Sequence, residues 1–176
     1  MRFHRAWETS KSIPLNEFGQ DPLLKTTGIA IVLAGVLEDD GKKEEAYKIY
    51  QEALSQLQSA YLDLPPDAPQ PDLGGMDSLK LLTPPERMRA AALAHKLGSL
   101  ASELKKPEEE KYLTWSVNAI LMAVMEAPAG SKIPPNNKRL HLMGADMRLP
   151  SWARVHDISA PFEALGTFYA DRGNNS

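Results

Sequence analysis

Apolar residues recur every three or four positions along the first half of this chain. Two stretches share this spacing: the first contains Leu33, Val36 and Leu37, and the second contains Ala46, Tyr47, Ile49, Tyr50, Ala53, Leu54 and Leu57. Such a period is typical of helices with one apolar face. Between the stretches, Asp39-Asp40-Gly41-Lys42 predicts a tight turn, with a glycine just past the end of the first helix. The pattern therefore predicts an antiparallel helical hairpin.

The positions of the fourteen prolines divide the chain into helical blocks. None lies within 23–64, 86–106 or 108–127, and proline is excluded from helix interiors but favoured in the first turn. Thr83-Pro84-Pro85-Glu86 has the residues of a helix start, with a Thr N-cap and a Glu placed as in a capping box. Because no stretch has the alternation of a strand, the chain is predicted to be all-α.

Further elements follow from the same pattern. A second hairpin is predicted over about 84–126, broken at Lys105-Lys106-Pro107, together with a helix near the N-terminus and one over 161–172. The Pro/Gly-rich segments 63–83 and 128–150 are predicted to be long loops. The second loop is apolar enough to cover either the protein's own surface or a partner's groove. Its apolar residues are Leu140, Leu142, Met143, Met147 and Leu149, whereas Met122 and Met125 are predicted to lie in the core.

Several segments carry the residues of a helical repeat. Phe162-x₂-Leu165-Gly166-x₂-Tyr169, followed by Gly173, resembles the first-helix signature of the tetratricopeptide repeat (TPR). The second-helix signature is matched by Ala46, Tyr50, Ala53 and Leu54. Weaker matches are Leu97, Gly98, Ala101, Tyr112, Ser116, Ala119 and Ile120 in the second hairpin, and Phe3, Ala6 and Trp7 near the start. The chain is thus similar to TPR proteins.

The resemblance implies an all-α, TPR-like solenoid of helical hairpins with a right-handed superhelix. Repeat 1 would span about 27–60, repeat 2 about 84–126, and the first helix of repeat 3 about 161–173. Ala34, Gly98 and Gly166 are expected where two helices touch, because small residues allow close approach. They are 64 and 68 residues apart, about two 34-residue periods each. Prolines and glycines in the gaps exclude hidden repeats, so 1–176 is predicted to be a single TPR-like domain with inserted loops. It is also expected to be a fragment of a longer protein, because the second helix of repeat 3 would begin just after 173.

A narrower resemblance is to the fungal TPR adaptor subunit of the mitochondrial i-AAA protease. It is based on the TPR signatures together with Leu149-Pro150-Ser151-Trp152 ahead of the segment 161–166. It implies a substrate- or partner-binding adaptor in protein quality control by proteolysis. It also implies a place at the mitochondrial inner membrane, on the side of the intermembrane space. That family has a membrane anchor, and this chain has no apolar run of about 20 residues that could serve as one.

Composition and motifs exclude several other functions. The net charge of −3 argues against a nucleic-acid binder. The absence of cysteine excludes disulfides and thiol chemistry. His4, His95, His141 and His156 have no metal-binding spacing, and no nucleotide-binding loop or nucleophile motif is present. We therefore expect an intracellular binding protein that is no enzyme and that uses no metal and no cofactor.

The resemblance also places a binding face, because the first helix of each TPR hairpin lines the concave side of the solenoid. The matching positions are Ile31, Gly35, Glu38, Asp39, His95, Ser99, Glu103, Glu163, Thr167 and Asp171. This set is small and acidic, so the expected partner is a neutral-to-basic or apolar protein segment rather than an acidic chaperone tail.

The alternative prediction is a structural or assembly subunit that uses the same helices in a homo-oligomer or a permanent complex. This alternative is based on the C-terminal helix, because part of its apolar face would not be packed against another helix of the chain. That face comprises Phe162, Leu165, Phe168 and Tyr169.

Overall fold

The computed structural model describes residues 2–60, 76–125 and 155–173. Within these ranges the chain forms helices and no strand, which confirms the all-α prediction there. The helices are α1 (Arg2–Ser12), a 3₁₀ helix (Leu15–Phe18), α2 (Pro22–Asp39), α3 (Lys43–Ser59), α4 (Asp77–Leu81), α5 (Pro84–Glu103), α6 (Glu109–Met125) and α7 (Val155–Gly173). Within the same ranges, no helix is both long and apolar enough to cross a bilayer.

The turn between α2 and α3 has the predicted geometry. Gly41 adopts φ +77°, a left-handed conformation that glycine enters without steric cost. Its N–H donates to the carbonyl of Glu38 at 2.8 Å, and the N–H of Lys42 donates to the carbonyl of Leu37 at 2.7 Å. These two bonds make a Schellman motif, so the first helix of the hairpin ends where the glycine predicted.

The turn between α5 and α6 repeats this motif with a different residue at the critical position. The N–H of Lys106 donates to the carbonyl of Ala101 at 2.8 Å, and that of Lys105 donates to Ser102 at 3.1 Å. Here the left-handed residue is Lys105, with φ +55°. The connection covers 104–108, two residues more than the connection over 40–42.

The predicted loop 63–83 includes a helix in its described part, residues 76–83. α4 lies there, and the adjacent α5 begins in a capping box, in which the N–H of Thr83 donates to Oε2 of Glu86 at 2.8 Å. Leu79 and Leu82 are fully buried and belong to the core. The loop prediction was therefore wrong for 77–81, because these two leucines pack into the core. The segment 128–150 lies outside the described residues, as do the predicted roles of Met143 and Met147.

Most of the packing joins helices that follow one another in the chain. α1 packs on α2, α2 on α3, α3 on α5, α5 on α6 and α6 on α7, while α2 also touches α5 and α5 also touches α7. The buried residues of α2, α3, α5 and α6 form a single core. Small residues lie at these contacts, since Ala34, Ala46, Ala53 and Ala119 are all buried.

The two signature glycines have different surroundings. A Cβ atom on Gly98 would lie 2.6 Å from Cδ2 of Leu113, so α5 and α6 touch there as predicted. Gly166 is exposed, and no described atom lies within 4 Å of the position of its Cβ. The prediction that Gly166 lies at a helix–helix contact was wrong, because no described helix packs against that side of α7.

Helix α7 departs from the prediction in two further ways. It begins at Val155, so Pro161 lies inside the helix and not at its start. The pyrrolidine ring is fully buried, and this burial offsets part of the cost of the lost hydrogen bond. Phe168, expected to lack cover, is only 6% exposed. The guanidinium of Arg172 lies 4.3 Å from the centre of its ring.

Candidate partner-binding face

Helices α2 and α5 lie side by side and run in the same direction. Near their N-terminal ends, the position of a Cβ on Gly28 is 3.9 Å from a terminal nitrogen of Arg89. Further along both helices, Nζ of Lys96 lies 2.7 Å from Glu38. The surface between these two contacts, together with the neighbouring surface of α7, is called the binding face below.

The carboxylates predicted on this face are partly neutralised by lysines. Glu38 pairs with Lys96, and its other oxygen accepts a hydrogen bond from the Tyr50 hydroxyl at 2.8 Å. Lys43 pairs with Glu103 at 2.6 Å. Since the side chain of Glu38 is only 18% exposed, its ion pair is better shielded from solvent than one on the open surface. Two of the five predicted acids are therefore held in a neutral cluster.

Burial and the Glu38 hydrogen bond raise the pKa of Tyr50 well above its usual range. The phenol therefore stays protonated and keeps donating to the carboxylate at physiological pH. This hydrogen bond joins α3 to α2 and holds Glu38 in place for Lys96, so the orientation of the cluster depends on the helix behind the face.

The side chains in the middle of the binding face are small or absent, and the surface there is open. Ile31 and Gly35 on α2 are half-buried, as is Ser99 on α5. No described atom lies within 4 Å of the position that a Cβ on Gly35 would take. The absence of a side chain there leaves space above α2 for a ligand's backbone to approach.

His95 lies where α5 meets α7. Burial lowers its pKa, and the positive charges of Lys96 and of His156 on α7 lower it further. The imidazole therefore favours its neutral form, which has one donor nitrogen and one acceptor nitrogen. It is suited to a polar contact with a ligand and not to holding an anion.

The remaining predicted residues lie on more open surface. Asp39 is exposed at the end of α2, and Glu163, Thr167 and Asp171 are exposed along α7. The hydroxyl of Thr167 donates to the carbonyl of Glu163 at 2.9 Å, within its own helix. The structure brings the α2 and α5 residues of the prediction together, and places the α7 residues on a helix that touches α5.

Sequence reasoning missed three cations on and beside this face. Lys43 and Lys96 pair with predicted acids, and Arg89 lies at the other end. A signal was present, because Arg89, Lys96 and Glu103 follow one another at seven-residue intervals, which places them on one side of a helix. The TPR register alone did not select these positions.

A separate cleft opens on another side of α2. It measures about 520 Å³ and is bordered by His4 and Arg5 of α1 and by Val36, Leu37 and Asp40. None of the predicted binding residues borders it. Within the described residues, no group of three or more His, Asp or Glu side chains could hold a metal ion.

The C-terminal helix has an exposed apolar patch. Phe162 is 37% exposed and Tyr169 is 51% exposed, and Leu121 on the adjacent α6 is also exposed. The hydroxyl of Tyr169 donates to Oε1 of Glu110 at 2.8 Å, which fixes α7 against the start of α6. Only part of the apolar face predicted to lack cover is therefore open.

The sequence matches no established protein-family model. It matches no curated protein. It also matches no solved structure.

Proposed function

We propose that this chain is a protein–protein interaction module in which TPR-like hairpins hold a protein segment across the binding face. The observation that carries the proposal is the side-by-side placement of α2 and α5, which leaves Gly35 uncovered between two polar ends. Helices α3 and α6 pack behind them as the second helices of two hairpins. A solenoid of such hairpins presents its first helices to a ligand.

The chemistry of the face favours a segment that is neutral to basic overall, or apolar. Asp39, Glu163 and Asp171 are exposed acids, and Glu38 and Glu103 each pair with a lysine. We propose an adaptor role on this basis, and the narrower resemblance suggests substrate delivery to a mitochondrial quality-control protease.

Site-specific photo-crosslinking tests the proposal. A photoreactive residue would replace Ser99 on the binding face or, as the matched control, Lys48, which is exposed on α3. Each variant would be irradiated in mitochondrial and in cytosolic extract, and the adducts identified by mass spectrometry. We expect protein adducts concentrated at position 99. Equal yields at both positions would contradict the proposal, and the more productive extract would indicate the compartment.

The second candidate is an assembly subunit that associates through the C-terminal helix. The exposure of Phe162 and Tyr169 on α7 and of Leu121 on α6 favours it, since exposed apolar side chains of this size are common at protein interfaces.

A further inference from the structure

Arg89 differs from the paired cations of this protein. It is half-buried, its terminal nitrogen lies 3.9 Å from the Cβ position of Gly28, and it makes no hydrogen bond or ion pair with any described residue. Burial lowers its pKa, and no neighbouring acid acts against this effect. Five other cations in the described ranges pair with carboxylates: Lys11, Lys43, Lys96, Lys106 and Arg172.

A half-buried guanidinium that has no partner among the described residues is expected to weaken the folded protein. Removing charge from water without a compensating partner is unfavourable, and no described residue donates to, accepts from or pairs with this guanidinium. Arginine presents a planar set of donors that matches a carboxylate in two parallel hydrogen bonds. The group that best pairs with Arg89 is therefore a carboxylate, which a bound protein segment can supply.

We infer that Arg89 receives the carboxylate of an acidic side chain in the protein segment that occupies the binding face. This inference rests on the proposed function and deepens it. Seven residues separate Arg89 from Lys96, a rise of about 10 Å along α5, which an extended segment covers in about three residues. The segment would place one acid at Arg89, cross the small surface at Gly35, and reach the neutral Glu38–Lys96 cluster.

The charge pattern also orients the segment. Its acidic residue lies at the N-terminal ends of α2 and α5, while its neutral or basic residues lie towards the exposed acid Asp39 and towards α7. A single carboxylate is compatible with a ligand that is neutral to basic overall. Recognition of this kind supplies direction as well as affinity.

Blocked synthetic peptides test the inference. The probes are acetyl-Asp-Leu-Ala-Leu-Lys-amide, the reversed sequence, and the counterparts of both in which Asn replaces Asp. Titrations followed by NMR would report binding constants and the shift of the Arg89 Nε–H signal. Of the two Asp peptides, we expect the one that binds wild type more tightly to bind about 10-fold more tightly than its Asn counterpart, as for a hydrogen-bonded charge pair.

Variants with matched charge complete the test. Arg89→Gln should abolish the preference for Asp, whereas Lys48→Gln, the same charge change on α3, should keep it. A preference that survives Arg89→Gln would overturn the inference, as would equal binding of Asp and Asn peptides or no binding at millimolar concentration. A phosphoserine peptide that binds far more tightly than the Asp peptide would overturn the assignment to a carboxylate.

The melting temperature of the ligand-free protein distinguishes a binding role of Arg89 from a structural role. Because Arg89 has no described partner, Arg89→Met should raise the melting temperature of the free protein. A marked fall would show that Arg89 supports the fold, and would refute a role reserved for a ligand. Crosslinking at position 99 without any preference for Asp would leave the proposed function standing while this inference fails.

Discussion

At Gly98 the packing of α5 against α6 leaves no space for a side chain. A Cβ there would lie 2.6 Å from Cδ2 and 2.8 Å from Cγ of Leu113, which is itself buried. Real Cβ contacts are longer than this, so any substitution must move Leu113 within a filled core. Gly166 has the same place in the Leu-Gly signature, but its surroundings are open.

Enlarging Gly98 should therefore destabilise the protein. We expect Gly98→Leu to lower the free energy of unfolding by about 1–3 kcal/mol, the usual range for overpacking, as measured by urea denaturation. The cost should fall when Leu113 is shortened in a Gly98→Leu/Leu113→Ala double mutant, because the two side chains compete for one space.

Gly166→Ala is the matched control for this experiment. At an exposed helix position alanine gains about 0.5–1 kcal/mol over glycine, so a modest rise in stability is expected. Equal losses at Gly98 and Gly166 would mean that the packing at these two sites is not as described.

Among the helical elements, the two hairpin turns use one motif with different residues. Gly41 enters the left-handed region at φ +77°, and Lys105 enters it at φ +55°. A residue with a Cβ is strained there, by roughly 1 kcal/mol. We expect Lys105→Gly to raise the free energy of unfolding by about 0.5–1 kcal/mol and Gly41→Ala to lower it by a similar amount. Thermal and chemical denaturation would measure both changes.

The control for this pair is Lys105→Ala, which removes the lysine side chain but keeps the Cβ. It should change stability little. A gain from Lys105→Ala equal to that from Lys105→Gly would assign the effect to the lost charge and not to the backbone.

The contact between α5 and α7 should respond to pH through His95. Its pKa is lowered by burial, by Lys96 and by His156, so in the window below the ordinary value of 6.5 the unfolded chain binds more protons than the folded one. The stabilisation is fully present above pH 6.5 and is lost as the pH falls towards the lowered folded-state pKa. Denaturation between pH 7.5 and 5.5 should show this loss, and His95→Gln should flatten it.

The variant His4→Gln is the control for the pH experiment, since it removes a histidine on exposed surface at the far end of the chain. A pH dependence that is the same in wild type and in His95→Gln would assign the effect to other groups.

Sequence reasoning located the elements whose ends depend on local chemistry. Gly41 marked the end of α2, and Thr83 with Glu86 marked the start of α5, because turns and capping boxes are built from neighbouring residues. It missed α4, which has only five residues and depends on burial of Leu79. It also began α7 six residues too late, since the rule against interior prolines takes no account of a buried Pro161.

The binding face was predictable only in part for a related reason. The TPR resemblance placed Glu38 and Glu103 on first helices, but a pattern within one helix does not show what the next helix brings opposite. The pairing of Glu38 with Lys96 depends on how α5 lies against α2, which no local pattern encodes. The position of Arg89 beside Gly28 is a tertiary property in the same sense.

For the whole molecule, the exposed patch on α6 and α7 makes self-association testable. Phe162, Tyr169 and Leu121 are exposed, and burying apolar area of this kind favours association. If the assembly candidate is right, light scattering should show a molecular mass that rises with concentration. Phe162→Glu should abolish the rise, because it places a charge in the contact.

The charge in this control belongs at position 162, since Phe168 is buried within its own chain and a substitution there would test folding instead. Lys48→Glu provides the matched control on α3. A constant monomer mass across the accessible concentrations would contradict assembly through this helix.

Packing between helices that are neighbours in the chain also affects how the protein is made. Each helix needs mainly the one before it and the one after it, so the average sequence separation of contacts is small, and chains with this property fold quickly. During synthesis, α1 to α3 can dock before α5 exists, and each later helix can add to a surface already formed. Because α7 packs mainly on one neighbour, α6, we expect partial unfolding to reach α7 more easily than the first hairpin.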